Sequence, residues 1–146
     1  MMQRLLILVG ALLFSQAASA WDTPTDAIQQ FLKFELGGGR LKSWSFGKFL
    51  AVRDGEYDEP SWDVVDLIES YKIKNLSCSA ESCTARVSFQ FVPTKTLTFK
   101  DIYPHPDGGS VIVDYKIVQL NSQWLLEPSD ASPKVYLNTY KRLGRK

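Results

Sequence analysis

Histidine and cysteine are scarce in this chain, which holds one of the first and two of the second among 146 residues. A structural zinc site draws on about four nitrogen or sulfur ligands, more than Cys78, Cys83 and His105 supply. A Ser-His-Asp arrangement has only His105 to serve as base, and no G-x-S-x-G elbow is present. The glycine run Gly37-Gly38-Gly39 is not followed by the Lys-Ser/Thr pair of a phosphate loop. Internal repeats, low-complexity tracts and long linkers are missing as well. Neither a metal nor another cofactor is expected.

Long hydrophobic runs are also few, and the one at the start is short. "MMQRLLILVGALLFSQAASA" has Arg4 as its only charge, an apolar stretch from Leu5 to Phe14, and small residues at Ala18-Ser19-Ala20. That order is the three-part secretory signal. A membrane span needs roughly twenty apolar residues, and this core is about half that length. No cysteine closes the run, so a lipid anchor is not indicated. The expected reading is a signal peptide, residues 1–20, cleaved after Ala20, and one domain over residues 21–146. The expected location is exported, either periplasmic or secreted, with membrane contact only through the signal peptide.

Excess charge of one sign is lacking too. Without Arg4 the chain keeps sixteen basic and sixteen acidic residues. A neutral domain has no electrostatic reason to seek nucleic acid or an anionic membrane. The basic end "YKRLGRK" reads as a solvated tail.

Both cysteines lie in "NLSCSAESC". Their C-x4-C spacing in a turn-like setting differs from the redox C-x-x-C motif. In an oxidising compartment two nearby thiols pair, so Cys78 and Cys83 are read as a staple across a hairpin. Asn75-Leu76-Ser77 is a glycosylation pattern that matters only in a eukaryotic host.

What the chain does hold is aromatic residues and clear periodicity. In "TPTDAIQQFLKFELGGG" Thr23 can cap a helix, Pro24 suits its first position and Asp26 its first turn. Ala27, Ile28, Phe31, Leu32 and Leu36 share one helical face, and the glycines end the helix. Residues 41–70 have no clean period. "RDGEYDEP" is a polar loop, and "SWDVVDLIES" reads as a short strand or a helical turn capped by Ser61. From Tyr71 the pattern is β. "YKIKNLSC" puts Tyr71 and Ile73 on one face, with an irregularity near Leu76. "TARVSFQFV" alternates Ala85, Val87, Phe89 and Phe91 with polar residues, and "SVIVDYKIVQL" is a second clear strand. "NSQ" turns the chain into "WLLEP". "SPKVYLNTYKRLG" reads as a closing helix with Ser132 as cap, Pro133 at its first position, and Val135, Tyr136, Tyr140 and Leu143 facing inward. The expected class is α+β, with an N-terminal helix packed on a curved antiparallel sheet of about four strands and a short C-terminal helix.

A leading helix ending in "GGGRL", then "EPSWDVVDLIESYKI", paired strands and "VDYKIVQLNSQWLLEPSD" resemble small exported bacterial proteins of the nuclear-transport-factor-2-like superfamily. The resemblance spans most of residues 22–143 and rests on element order and the "WLLEPSD" last strand. It implies a cystatin-like α+β cone, in which a bent sheet wraps a helix and leaves a cavity. Enzymes of that superfamily use an Asp or His in the cone, but no catalytic residue carries over by motif.

The candidate chemistry is thin. His105, in "YPHPDGG", reads as a loop residue rather than a base. The acids Asp54, Glu56, Asp58, Glu59, Asp63 and Asp66 lack the calcium-loop pattern and read as a solvated cluster, with Asp63 the best placed to be partly buried. Trp44, Trp62, Tyr71, Phe89 and Phe91 either line a ligand pocket or fill the core. The leading expectation is a non-enzymatic exported binding module for an envelope protein or a small apolar ligand. The alternative is a cone-fold isomerase or dehydratase using a pocket carboxylate such as Asp63, and the third is a purely structural accessory domain.

Overall fold

A computed structural model of the chain describes residues 21–42, 45–52, 64–93 and 108–144. In chain order the elements are α1 (Pro24–Leu36), α2 (Gly39–Lys42), a 3-10 helix (Ser45–Phe49), β1 (Asp66–Ser79), β2 (Ser82–Phe91), β3 (Ser110–Leu120), β4 (Gln123–Leu126), β5 (Lys134–Tyr136) and α3 (Leu137–Leu143). One five-stranded sheet runs in the order β4-β3-β2-β1-β5. It curls into a half-barrel around α1.

The first helix forms for the reasons its sequence contains. Asp26 N–H donates to Thr23 Oγ1 at 3.1 Å, the Thr23 hydroxyl donates to Asp26 Oδ2 at 2.7 Å, and Pro24 opens the first turn. The helix ends where Gly38 takes φ 75°, a left-handed conformation that costs glycine little. Ala27, Ile28, Phe31, Leu32 and Leu36 are all buried. They meet the concave side of the sheet, where Cys83, Ala85, Val87, Phe89 and Phe91 of β2 alternate inward. Helix and sheet thus share one core, which Tyr115 and Ile117 of β3 extend.

Register explains an irregularity visible in the sequence. Ile73 pairs with Val87 but Asn75 with Arg86, so Lys74 is an extra residue in β1. This bulge returns Leu76, opposite Ala85, to the face of Tyr71 and Ile73. A second bulge at Glu69 does the same between Ile68 and Tyr71. At the end of the hairpin Cys78 faces Cys83, with a Cα–Cα distance of 4.0 Å, and the two form a disulfide. The β3–β4 hairpin turns on Asn121 and Ser122, both with positive φ (51° and 62°), the signature of a two-residue type I′ turn.

Two expectations need correction. The sheet has five strands rather than about four, and it is mixed, because β5 runs parallel to β1 through Asp66↔Lys134, Leu67↔Val135 and Ile68↔Tyr136. The closing helix is also shorter, starting at Leu137 rather than near Pro133, and it has no fully buried residue. The cause is tertiary. The Ser132 hydroxyl donates to Asp66 Oδ2 at 2.7 Å instead of capping, and the Lys134 N–H donates to Glu35 Oε1 at 2.9 Å. Residues 134–136 are held against β1 and are extended.

The disulfide closes a small ring, so its loss should be modest. Replacing Cys78 and Cys83 together by Ser should lower stability in urea by about 2 kcal/mol. An unchanged urea midpoint would remove the staple from any account of stability.

Candidate functional site

Inside the half-barrel the helix brings one charged residue to its apolar face. Glu35 lies four positions after Phe31 and three after Leu32, so helical geometry points it where they point. Its side chain and that of Arg40 are 2% and 3% exposed, with Arg40 Nη1 3.2 Å from Glu35 Oε1. Arg40 Nη1 also donates to the Ala131 carbonyl at 3.1 Å, and its guanidinium lies 4.6 Å from the Phe46 ring centroid. Glu35 Oε1 accepts from Lys134 N–H, whereas Oε2 has no protein hydrogen-bond partner among the described residues. Removal from water pushes the Glu35 carboxyl above its ordinary value and outweighs the opposing pull of Arg40 and Lys134. Burial raises the Tyr115 phenol, and the Glu35 charge raises it further.

A second buried pair lies beside the first. Lys134 Nζ is 3.4 Å from Asp66 Oδ2, donates to Ser132 O at 3.2 Å and sits 5.6 Å from the Phe89 ring centroid. The two pairs tie α1, α2, β1 and β5 together. Bordering them, between Phe31, Glu35, Arg40, Phe46 and Tyr115, is a cavity of about 10 Å³. That is room for about one water-sized sphere. As chemistry, the cluster is a desolvated carboxylate next to a phenol, with no space for a substrate.

Among the described residues a ligand-sized concavity lies elsewhere. An open groove of about 520 Å³ lies on the side of α1 turned away from the sheet. Phe34 and Phe49 form its floor with ring centroids 4.7 Å apart. Lys33, Lys42 and Lys48 line it, together with Gln30. Lys48 Nζ sits 5.4 Å from the Phe34 centroid and 5.1 Å from that of Phe49. Lys42 Nζ donates to Gly37 O at 2.9 Å. A Cβ on Gly39 would overlap the Phe34 ring, so the glycine lets the ring lie flat against the backbone.

The residues singled out in the sequence are distributed unevenly. Tyr71 is 37% exposed, while Phe89 and Phe91 are core; Tyr71 packs 6.3 Å from Phe89, centroid to centroid. Burial raises the phenol of Tyr136, with Tyr71 contributing. Trp44, Trp62, Asp63, His105 and the Ala20 cleavage site lie outside the described residues, as do Asp54, Glu56, Asp58 and Glu59. Of the acidic group only Asp66 is described, and it is buried and paired with Lys134 rather than solvated. Glu35 and Arg40 were missed, although Glu35 sits within the apolar stripe of α1 and the helical spacing marks it.

The chain is a helix-in-half-barrel α+β protein with a buried ionic cluster. No protein-family model, curated protein or solved structure matches it. The Cys78–Cys83 disulfide is consistent with an oxidising compartment. Among the described residues no helix is long and apolar enough to cross a membrane.

Two measurements probe the cluster. Arg40→Ala should cost about 3–5 kcal/mol, because it strands a buried carboxylate. Glu35→Leu combined with Arg40→Met should be more stable than that single variant, and the reverse order in urea unfolding would contradict a buried pair. The pH dependence has a definite sign. A carboxyl raised on folding holds its proton longer in the native state, so stability falls as pH climbs from the unfolded value of 4.5 through the raised one and levels off above it. Glu35→Gln should lack this decline, so the wild type should lose ground to it as pH rises above 4.5. A stability difference independent of pH would show that Glu35 titrates normally.

Proposed function

We propose that the chain is an exported, non-enzymatic binding module of the nuclear-transport-factor-2-like cone type, and that its ligand is a partner protein. One observation carries this reading. Among the described residues, α1 fills the half-barrel and leaves about 10 Å³ beside the buried carboxylate, whereas a concavity of ligand size lies on the far side of α1. Ligand pockets typically measure about 300–1,000 Å³, so the cavity that the described residues leave beside Glu35 is too small for a substrate or a small apolar ligand. The order of elements and the sheet curled on a helix support the cone assignment. The residue 1–20 pattern, together with the disulfide, supports export to the periplasm or beyond.

The second reading, a cone-fold isomerase or dehydratase, gains one observation. Its carboxylate would be Glu35, which is desolvated beside Tyr115, rather than the Asp63 picked from the sequence. The reading requires the cavity to open.

Affinity capture from an envelope extract, with residues 21–146 as bait and mass spectrometry of proteins and small molecules, separates the two. The expected result is a protein retained saturably and displaced by untagged chain. A small molecule retained alone, together with loss of that retention in Glu35→Gln, would overturn the binding-module reading.

A further inference from the structure

Resting on that binding-module reading, the geometry points to an acidic segment of the partner protein, bearing an apolar side chain, as the occupant of the groove over α1. Sixteen bases against sixteen acids in residues 21–146 make the domain neutral as a whole. Three lysines nevertheless converge on one concavity whose described lining contains no carboxylate. Lys33, Lys42 and Lys48 are exposed, and no acidic side chain among the described residues pairs with them.

The C-terminal end of α1 accounts for part of this charge. A helix C-terminus carries about half a negative charge and attracts cations, and Lys42 bonds Gly37 O there directly. Half a charge does not balance three ammonium groups. Lys48 lies on the 3-10 helix and is held over two aromatic rings instead of a helix end. Among the described residues the groove therefore sets three ammonium groups around an apolar floor.

That combination specifies its complement. Carboxylates would take charge-assisted hydrogen bonds from Lys33 and Lys48, which are stronger than neutral ones. An apolar side chain between them would cover Phe34 and Phe49. Interfaces are organised in this way, with an aromatic anchor at the centre and charges at the rim. The rim charges would set the association rate and salt sensitivity, and the anchor the lifetime.

The experiment uses isotopically labelled chain 21–146 and two synthetic peptides, Glu-Glu-Asp-Phe-Glu-Glu and its Gln/Asn counterpart. Amide shifts from the acidic peptide should cluster on residues 30–42 and 45–50, and the neutral peptide should bind about tenfold or more weakly, a gap that closes as salt is raised. Lys33→Glu with Lys48→Glu should abolish the acidic-peptide shifts. Lys33→Gln with Lys48→Gln replaces it if the charge reversal unfolds the chain. Equal binding of both peptides, shifts on the outer face of β3, or equal lysine-dependent binding of phosphatidylglycerol vesicles would each overturn the assignment. Capture from envelope extract distinguishes the two levels of failure. A partner retained equally by the charge-reversed chain leaves the binding module standing without this groove, and no partner for either chain removes the module itself.

Discussion

The apolar stripe of α1 has one surface on which to hide, and the rest of the molecule is arranged around that fact. Ile28, Phe31, Leu32 and Leu36 are almost wholly buried against the concave side of the sheet. Each such side chain contributes about 1.5–3 kcal/mol on leaving water. Ion pairs at the surface, such as Arg86 with Asp114 or Lys116 with Glu127, are screened by solvent and cannot set the architecture. Arg86 does hold the Asp114 carboxyl below its ordinary value through two hydrogen bonds, but that is a local effect on the outer face. Curvature follows from the same constraint. A flat sheet would leave one end of the helix stripe wet, whereas the bulges at Glu69 and Lys74 increase local twist and help β1 curl.

Set into this core is a polar seam that burial alone would not choose. Two ion pairs, Glu35 with Arg40 and Asp66 with Lys134, replace apolar contacts at the edge of the half-barrel. Such pairs are weak grounds for stability, because desolvation opposes their attraction. Their visible effect is geometric. Glu35 takes the Lys134 N–H, and Asp66 takes the Ser132 hydroxyl. The chain after Ala131 is thereby laid parallel to β1, and α3 is postponed until that strand is complete.

The filled interior and the open exterior have a common origin. Phe31, Phe46 and Tyr115 close on one another, with Phe31 lying 5.8 Å from Phe46 and 5.4 Å from Tyr115 between ring centroids. Among the described residues these aromatic side chains leave a cavity of only about 10 Å³ beside Glu35. Phe34, one step round the helix, is left only half-buried. Together with Phe49 it becomes the floor of the groove, so a single helix supplies both the plug of the interior and part of the wall of the outer groove.

Much of this was legible in residue patterns. The caps and apolar stripe of α1, the alternation along β2 and β3, the Asn121-Ser122 turn and the cysteine staple are decided by neighbours within a few positions, and local chemistry suffices to read them. Glu35 was legible too, as a charge inside an apolar stripe, but its partner was not, because Arg40 reaches it only after the glycine turn reverses the chain. The strand at Lys134–Tyr136 could not be read at all. Ser132-Pro133 carries the local signature of a helix start, and what overrides it is a carboxylate 99 positions earlier. Local sequence therefore determined the long elements α1, β2 and β3 and which of their faces are apolar, since those depend on period and capping. The tertiary structure alone decided which charges are buried together, how closely aromatic side chains pack beside Glu35, and that three lysines meet on the far side of α1, since those depend on side chains that meet only once the chain has closed on itself.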